Sequence, residues 1–417
     1  MKTWQPTKET AEDVISAFGS PSYLYNIDIM TESYNDIRKR LANEYEIFYS
    51  LKANPNISIT KAFHEKGLGA EVSSRTELET ALLAGIPSQK IIFVGPGKKI
   101  SELERAIDLN LLAIVAESLE ELEYISQLSE DKNLITRVML RINPSFEASG
   151  SALAMGGKPR QFGIDEETVI LELDRIKSLR GISVIGLHIY VGTRFLDHRD
   201  IIRNTENILK TAYEIQKIFG YSFQIIDIGG GWGVPYFENE TELDVISLIS
   251  ELNQISNGYL KENFKGKIII ELGRYLTASH GVLLTTVNYI KNSRGVKFAI
   301  TDGGTNIQLG AVGLGGFVKR NFPMKNLTND TKLTEEYYIT GPLCTPTDTV
   351  AKNIAIPASK QGDVIATLLS GAYGPTASPI YFLGHGYPAE VIIKKNLIHL
   401  VRERDNHEDL LRKQKII

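Results

Sequence analysis

The fold is decided by a short apolar run that ends in glycine, Phe223-Gln224-Ile225-Ile226-Asp227-Ile228-Gly229-Gly230-Gly231. Near-continuous apolar runs are typical of strands buried on both faces, as in a parallel sheet. Seven more runs share this character: Glu46–Lys52, Gly69–Ser73, Ile91–Gly95, Leu112–Ser118, Arg137–Asn143, Val184–Gly192 and Lys267–Tyr275. Amphipathic helical patterns or shorter connections separate them. Eight such units over about 250 residues predict an α/β fold, a (β/α)8 TIM barrel.

The ends of these predicted strands carry polar side chains. They are Lys52, Glu71 with Ser73, Glu117, Arg141 with Asn143, His188 with Tyr190, the glycines 229–231, and Glu271 with Arg274. In a TIM barrel the chemistry lies at the C-terminal ends of the strands. A barrel built only for stability would not need charged groups at so many ends of one face. The sequence therefore predicts an active site at the C-terminal mouth.

The composition narrows the class of protein. A formal net charge of −4 over 417 residues argues against binding nucleic acid or anionic lipid through bulk charge. No apolar run approaches the roughly 20 residues of a membrane span, and the first residues lack a signal-peptide core. The single cysteine, Cys344, excludes a disulfide framework or a cysteine-based zinc site within one chain. We predict a cytoplasmic protein without a metal, a nucleic-acid partner or a membrane partner.

The pattern of the sequence changes after Tyr275. Short runs bounded by turns follow, and they are Gly281–Tyr289, Val296–Thr301, Glu336–Thr340, Val364–Leu369 and Glu390–Ile393. They predict a mostly antiparallel β-domain over residues 276–417, after a barrel over residues 28–275. Residues 1–27 contain a predicted strand, Ser22–Asn26, and are predicted to join the β-domain. The charged tail from Arg402 is predicted to be frayed.

Several of the strand-end residues have both a structural and a chemical interpretation. Lys52 is either a lysine whose amine reaches solvent from a strand end or a Schiff-base lysine. The glycines 229–231 form either an ordinary strand-to-helix turn or a phosphate cradle at a helix N-terminus. Glu271 and Arg274 form either a local ion pair or a carboxylate that faces a pyridine nitrogen beside a guanidinium for an anion.

Three more side chains are candidates. His188 and Tyr190 lie two apart on one predicted strand, hence on one face, so either could stack on a cofactor ring or be a hydrogen-bonded core residue. Cys344 stands in Gly341-Pro342-Leu343-Cys344-Thr345-Pro346-Thr347-Asp348. A lone cysteine is usually a small buried hydrophobe. Turn residues around it and an acid after it favour an exposed catalytic thiol.

Together these segments resemble the fold-type III pyridoxal phosphate (PLP)-dependent decarboxylases, which act on diaminopimelate, ornithine and arginine. The matching segments are Tyr49–Asn54, Gly186–Gly192, Ile228–Gly233, Glu271–Arg274, Asp302–Gly304, Gly341–Asp348 and Gly371–Gly374. The resemblance implies an alanine racemase-like barrel with PLP at its mouth and a C-terminal β-domain. It also implies a homodimer with two shared active sites.

The resemblance also implies the roles of residues. Lys52 would bind PLP covalently, Glu271 would face its pyridine nitrogen, and Cys344 of the partner subunit would protonate Cα. Gly230, Gly231 and Tyr373 would hold the phosphate. The other predicted cofactor contacts are Arg141, His188, Tyr190, Gly273 and Arg274.

The chain departs from the family pattern in two places. The family's ring-stacking histidine directly precedes a Val/Ile-Gly step, where this chain has Tyr190, so the stacking residue stays open between Tyr190 and His188. Family members that act on diamino acids have an acid directly after the cysteine, where this chain has Thr345-Pro346. This pattern is similar to members that act on modified or tethered amino acids. Examples are the glutamyl-carrier-protein decarboxylase of butirosin biosynthesis and siderophore-pathway decarboxylases.

We therefore predict an α-decarboxylase for a glutamyl-like group on an acyl carrier protein, in biosynthesis of an antibiotic or another secondary metabolite. Predicted substrate contacts are Arg274, Asp348 and the basic pair Lys319-Arg320, which could equally be a solvated pair on a flexible loop. The alternatives are a decarboxylase of a free diamino acid (diaminopimelate, ornithine or lysine) or of a siderophore intermediate. A racemase is disfavoured by Glu271, and a regulatory pseudoenzyme by retention of both Lys52 and Cys344.

Overall fold

The computed structural model describes residues 3–150, 153–154, 156–312 and 320–417. The predicted substrate contact Lys319 lies outside these residues. The chain divides into two compact units. The sheet unit comprises Met1–Ser33, Pro235–Glu240 and Leu276–Ile417, and the barrel unit comprises Tyr34–Val234 and Thr241–Tyr275.

Strands and helices alternate through most of the barrel unit, whereas the sheet unit is mainly extended. The strands in the described residues are β1 (Ser22–Asn26), β2 (Tyr45–Ser50), β3 (Gly69–Val72), β4 (Ile91–Phe93), β5 (Ala113–Ala116), β6 (Thr136–Asn143), β7 (Leu153–Ala154), β8 (Ile164–Asp165), β9 (Ile182–His188), β10 (Gly192–Thr193), β11 (Ile225–Gly230), β12 (Lys267–Leu272), β13 (Gly281–Ser293), β14 (Val296–Thr301), β15 (Met324–Asn326), β16 (Thr334–Thr340), β17 (Thr349–Pro357), β18 (Val364–Thr367), β19 (Ala389–Lys394) and β20 (Leu397–Arg402). The α-helices are α1 (Lys8–Phe18), α2 (Ile27–Arg38), α3 (Ile57–His64), α4 (Arg75–Leu83), α5 (Ile100–Asp108), α6 (Leu119–Asp131), α7 (Glu166–Leu171), α8 (Leu173–Ser178), α9 (His198–Phe219), α10 (Val245–Ile255), α11 (Lys261–Asn263), α12 (Arg274–Thr277) and α13 (His407–Leu411). No helix within the described ranges is both long and apolar enough to cross a membrane.

The barrel unit is a closed ring of eight parallel strands, which confirms the predicted TIM barrel. The ring runs β5-β4-β3-β2-β12-β11-β9-β6, and pairing of β5 with β6 closes it. Each apolar run of the sequence contains one of these strands. Seven of the eight strands end before the predicted run does, β9 and β12 by the most: β9 ends at His188, and β12 ends at Leu272 because α12 begins at Arg274.

Apolar side chains from the barrel strands pack together as one cluster. It contains Phe48, Ile92, Val94, Ala113, Val115, Met139, Ile185, Ile225 and Ile269, all buried. Burial of each larger side chain stabilises the fold by roughly 1.5–3 kcal/mol relative to its exposure. Polar side chains are concentrated at the C-terminal ends of the same strands, and the fold thereby separates packing from chemistry.

The sheet unit contains one mostly antiparallel sheet, as predicted. Its path is β17-β16-β14-β13-β1-β19-β20, with β18 paired to β13 and β15 paired to β18. Strand β1 lies inside this sheet, antiparallel to β13 and parallel to β19. Between β13 and β14, Arg294 and Gly295 have φ of 49° and 82° and form a two-residue hairpin turn.

The C-terminal tail corrects one prediction. It was expected to be frayed, but α13 forms there. Asn406 accepts hydrogen bonds from the N–H groups of Glu408 and Asp409, and Asp409 in turn accepts from the N–H of Asn406. This reciprocal cap satisfies backbone donors that would otherwise be left open at the start of the helix.

Candidate active site

Lys52 stands at the mouth of the barrel against two buried carboxylates. It follows β2 in a single 3-10 turn, Leu51–Ala53. Its Nζ lies 2.9 Å from Oε2 of Glu71 and 3.9 Å from Oε2 of Glu271. The side chain of Lys52 is 37% exposed, whereas those of Glu71 and Glu271 are 0% and 3% exposed. The amine is therefore the accessible member of an otherwise buried charge cluster.

Glu71 holds Lys52 in place and is itself fully engaged. Besides the amine, it accepts hydrogen bonds from Ser50 Oγ at 2.5 Å and from Ser73 Oγ at 2.9 Å. Three donors around one buried carboxylate fix its orientation. Glu71 was noted at a strand end in the sequence, but its grip on Lys52 depends on the register of β2 against β3.

Glu271 carries a firm negative charge at the end of β12. Its Oε1 lies 3.2 Å from His188 Nε2, and both side chains are buried. Burial alone would raise the pKa of Glu271, but the charges of Lys52, His188 and Arg141 together lower that pKa to about 2. Glu271 therefore stays ionised across the pH range in which enzymes work.

Asp227 lies beside Glu271 and has the opposite character. Burial and the charge of Glu271 raise the pKa of Asp227 well above its ordinary value, although its Oδ1 accepts the N–H of Gly229 at 2.8 Å. Asp227 is therefore the more easily protonated of the two carboxyl groups. Asp227 was not predicted from the sequence; its one indication there is an acid inside an apolar run, two residues before glycine.

Two buried atoms of this cluster lack hydrogen-bond partners among the described residues: His188 Nδ1 and Asp227 Oδ2. Ligand atoms of His188, Asp227 and Glu271 lie within 4.8 Å of one another. Buried polar atoms are nearly always satisfied, so open ones indicate a site that receives a polar group. The prediction that the chain binds no metal is not tested by this spacing and stays a prediction.

His188 and Tyr190 have different surroundings. His188 is committed to Glu271, whereas the Tyr190 ring centroid lies 5.7 Å from Lys52 Nζ. The Tyr190 ring also packs on Gly229, where an added Cβ would stand 2.2 Å from the ring. Tyr190 is therefore the aromatic ring beside the accessible amine.

The glycines at the end of β11 form a corner that has no room for side chains. A Cβ on Gly230 would lie 1.8 Å from the carbonyl oxygen of Glu271. Gly231 has a φ of 73° and accepts the N–H of Phe195. The expectation of a helix directly after this corner was wrong, since α10 begins only at Val245. The corner therefore lacks the dipole of a directly following helix.

Arg141 and Gly273 support the cluster from neighbouring strands. Arg141 donates to Glu117 Oε1 at 2.8 Å, and its guanidinium lies 4.7 Å from the Phe162 ring centroid. Glu117, noted at a strand end in the sequence but given no role there, thereby fixes Arg141 next to His188 in the β6–β9 register. A Cβ on Gly273 would lie 2.7 Å from the Cβ of Ala53, so only glycine lets the end of β12 approach the Lys52 turn.

The remaining predicted residues belong to the sheet unit, except Arg274, the first residue of α12. Cys344 is exposed, and Tyr373 has a φ of 53°. Asp348 is only 2% exposed and its carboxylate accepts three hydrogen bonds within the sheet unit, a geometry at odds with the predicted substrate contact. Arg320 lies 4.0 Å from Glu240 Oε1, with its own side chain 58% exposed.

Known proteins match almost the whole chain. Residues 28–278 match the family model described as the pyridoxal binding domain of pyridoxal-dependent decarboxylases. The L-glutamyl-[BtrI acyl-carrier protein] decarboxylase of Niallia circulans is 38% identical over 95% of this chain and 94% of its own. The diaminopimelate decarboxylase of Aquifex aeolicus is 29% identical over 95% and 92%.

Solved structures agree with this match. Diaminopimelate decarboxylase from M. jannaschii in complex with L-lysine has a TM-score of 0.90 at 26% identity, covering 98% of this chain and 94% of that one. The Helicobacter pylori enzyme complexed with L-lysine has a TM-score of 0.87 at 28% identity, covering 96% and 98%. The similarity extends through both units.

Proposed function

The chain belongs to the pyridoxal-dependent decarboxylases, and from that premise we propose that it decarboxylates a glutamyl-type group carried on an acyl carrier protein. The observation that carries the proposal is the 38% identity to a glutamyl-carrier-protein decarboxylase over 95% of the chain. The cysteine segment supports it, because Thr345-Pro346 follow Cys344 and the next acid, Asp348, is occupied by other hydrogen bonds. Such a reaction belongs to the biosynthesis of a secondary metabolite.

The cofactor of the chain is pyridoxal phosphate, and the residues of the barrel mouth fit it. An accessible amine, a corner free of Cβ atoms and two open buried polar atoms are what such a group requires. When bound, PLP withdraws electrons from Cα of the amino acid and so permits loss of CO2. We propose that Lys52 binds it covalently and that Gly230, Gly231 and Tyr373 hold its phosphate.

The buried carboxylates have separate tasks in this proposal. With PLP bound, the ionised Glu271 would favour a proton on the pyridine nitrogen, and His188 would keep Glu271 in its orientation. Tyr190 would lie beside the cofactor ring. Glu71 would hold the Lys52 amine at the mouth of the barrel by hydrogen bonding.

We propose that the basic side chains act on negatively charged groups. Arg274 is proposed to bind the cofactor phosphate or a carboxylate of the substrate, since a guanidinium can bind either with two hydrogen bonds. Arg141 acts on the site through its charge, which helps to lower the pKa of Glu271. Lys319 and Arg320 are proposed to meet the phosphate of a carrier-bound pantetheine arm.

Cys344 is proposed to donate the proton to Cα after CO2 leaves. We propose a homodimer in which Cys344 of one subunit serves Lys52 of the other, as the family resemblance implies. The exposure of Cys344 supports this role, because a thiol that serves a neighbouring subunit has to lie at the surface of its own.

A second candidate function is decarboxylation of free diaminopimelate. It is favoured by the structural match at a TM-score of 0.90 to a diaminopimelate decarboxylase that holds L-lysine. The absence of an acid directly after Cys344 disfavours it, because a distal ammonium left unpaired in a closed site costs several kcal/mol.

The test is a comparison of substrates by mass spectrometry of CO2 loss. Glutamyl carrier protein, free glutamate, diaminopimelate, ornithine and lysine are offered to the PLP-loaded enzyme, with alanyl carrier protein as the matched control. We expect turnover of the glutamyl carrier protein to exceed that of every free amino acid. A kcat/KM of about 10⁴ M⁻¹s⁻¹ or more for a free diamino acid would replace the proposal with the second candidate.

A further inference from the structure

Asp348 is a buried carboxylate in the loop that carries the chain's single cysteine. The loop spans Gly341–Asp348 and joins β16 to β17. Oδ2 of Asp348 accepts the N–H of Leu343, the residue next to Cys344, at 2.8 Å. Asp348 is 2% exposed whereas Cys344 is exposed, so the carboxylate points inward while the thiol lies at the surface.

The other oxygen of Asp348 fastens this loop to a second one. Its Oδ1 accepts the N–H of Thr305 at 2.7 Å and the Thr305 hydroxyl at 2.9 Å. Two glycines make room for the carboxylate. A Cβ on Gly304 would lie 2.2 Å from Oδ1, and one on Gly341 would lie 2.5 Å from Oδ2. One carboxylate therefore joins two loops that are 43 residues apart in sequence (Asp348 and Thr305).

In this arrangement Asp348 anchors the Cys344 loop to the loop that contains Thr305. A carboxylate that binds a substrate ammonium has to present an oxygen to an open cavity. Both oxygens of Asp348 are instead directed at donors of its own unit, and glycines enclose them. Removing a buried carboxylate of this kind leaves its donors unsatisfied, which loosens the segment they belong to.

We propose that Asp348 is a positioning residue, which holds the Cys344 segment through Leu343 and makes no contact with the substrate. The inference rests on the proposed function only in taking Cys344 as the proton donor. It deepens that function, because it leaves the Cys344 loop without an acid for a distal ammonium. A substrate whose side chain ends in such a group is then not recognised from this loop.

The single cysteine allows a direct test. A thiol reagent added to the full-length, PLP-loaded enzyme reacts at Cys344 alone, because the sequence has no other cysteine. Asp348→Asn keeps the size of the side chain but replaces one acceptor oxygen by a donor. Asp363→Asn is the matched control, since Asp363 is also buried in the sheet unit and accepts from Lys360 N–H and Asn326 Nδ2.

We expect Asp348→Asn to raise the rate of Cys344 modification about threefold or more, because the tether on Leu343 is lost. The kcat for the glutamyl carrier protein should fall about 10- to 100-fold, part of the effect of losing a positioned acid. KM and the visible absorption of the bound cofactor should not change. Asp363→Asn should leave the modification rate and kcat as they are.

Two further variants keep the test decisive if Asp348→Asn does not fold. Thr305→Val removes only the hydroxyl donor and should shift the modification rate in the same direction by a smaller factor. Thr305→Ser keeps both donors and should restore the wild-type rate. Unchanged modification in Asp348→Asn or Thr305→Val would overturn the proposal, as would a raised KM at an unchanged kcat.

The measurements distinguish a failure of the positioning role of Asp348 from a failure of the proposed function. If Cys344→Ala retains full turnover, the proposed proton donor is wrong, but the modification rates still decide whether Asp348 positions the loop. If Cys344→Ala is inactive and Asp348→Asn is modified at the wild-type rate, the proposed function stands and the positioning role is removed.

Discussion

The two units bury carboxylates in contrasting ways. In the barrel unit, Glu271 lies against Lys52 and His188, and its neighbour Asp227 has a buried oxygen that no described residue satisfies. In the sheet unit, both oxygens of Asp348 are taken by neutral donors. Saturation by backbone and hydroxyl donors is typical of a structural anchor. Charged partners, shifted pKa values and open polar atoms are typical of a site that performs chemistry.

The largest expected effect is that of Lys52, the accessible amine of the barrel cluster. Lys52→Ala should lose turnover by more than about 10⁴-fold, beyond the share of a positioned acid or base. Borohydride reduction of the wild-type enzyme, followed by peptide mass spectrometry, should find the pyridoxyl group on Lys52. Lys98 is the internal control, since its amine is buried in hydrogen bonds to Gly95, Val115 and Glu121. Labelling of Lys98 or of any other lysine would remove the site assignment.

The next effect is that of Cys344 in the sheet unit. Cys344→Ala should slow turnover by about 10²–10⁴-fold and leave the visible absorption of the bound cofactor unchanged. Mixing it with Lys52→Ala should restore part of the activity, because one of the two shared sites in a mixed dimer is then intact. If subunit exchange is confirmed and the mixture stays inactive, the sites are not shared between subunits.

A smaller effect separates the two acids of the barrel cluster. Glu271→Gln should lower kcat by roughly 10²-fold, the cost of losing one preorganised electrostatic partner. Asp227→Asn should keep kcat within about threefold, because burial and the charge of Glu271 favour the neutral form of the Asp227 carboxyl, which an amide resembles. The measurement is steady-state kinetics with cofactor content matched by absorbance. Equal losses in both variants would show that Asp227 works as an anion.

The features of the two units that depend on local sequence were predictable. Long apolar runs specify strands buried on both faces, so all eight barrel strands were predicted. Contacts set by distant segments were not predictable. The register of β9 and β12 with β11 brings His188 to Glu271, 83 residues apart. The inward orientation of the Asp348 side chain depends on its hydrogen bonds from Thr305, and the sequence near Cys344 does not indicate it. The alternation of side chains along a strand predicted that Tyr190 lies on the same strand face as His188. Because β9 ends at His188, Tyr190 lies beyond the strand instead.

The smallest expected effect is on the pH dependence of stability, through Glu77 of the barrel unit. Burial raises the pKa of Glu77 to about 7, against the opposing effect of its hydrogen bond from the N–H of Ser73. In the unfolded chain the pKa of a glutamate is about 4.3. Between these values the folded protein holds a proton that the unfolded chain has released, so this contribution to stability falls as the pH rises from about 4.5 to 7.

Glu77→Gln removes that titration, so its melting temperature should improve relative to wild type between pH 5 and pH 7. Thermal unfolding of both proteins across this range measures the difference. Glu104→Gln, which changes an exposed glutamate on α5, is the matched control and should follow the wild type. A constant difference between Glu77→Gln and wild type would mean that Glu77 is ionised in the fold. Glu77 would then add a negative charge to the barrel unit close to Glu71 and Lys52, whose charges act on its pKa.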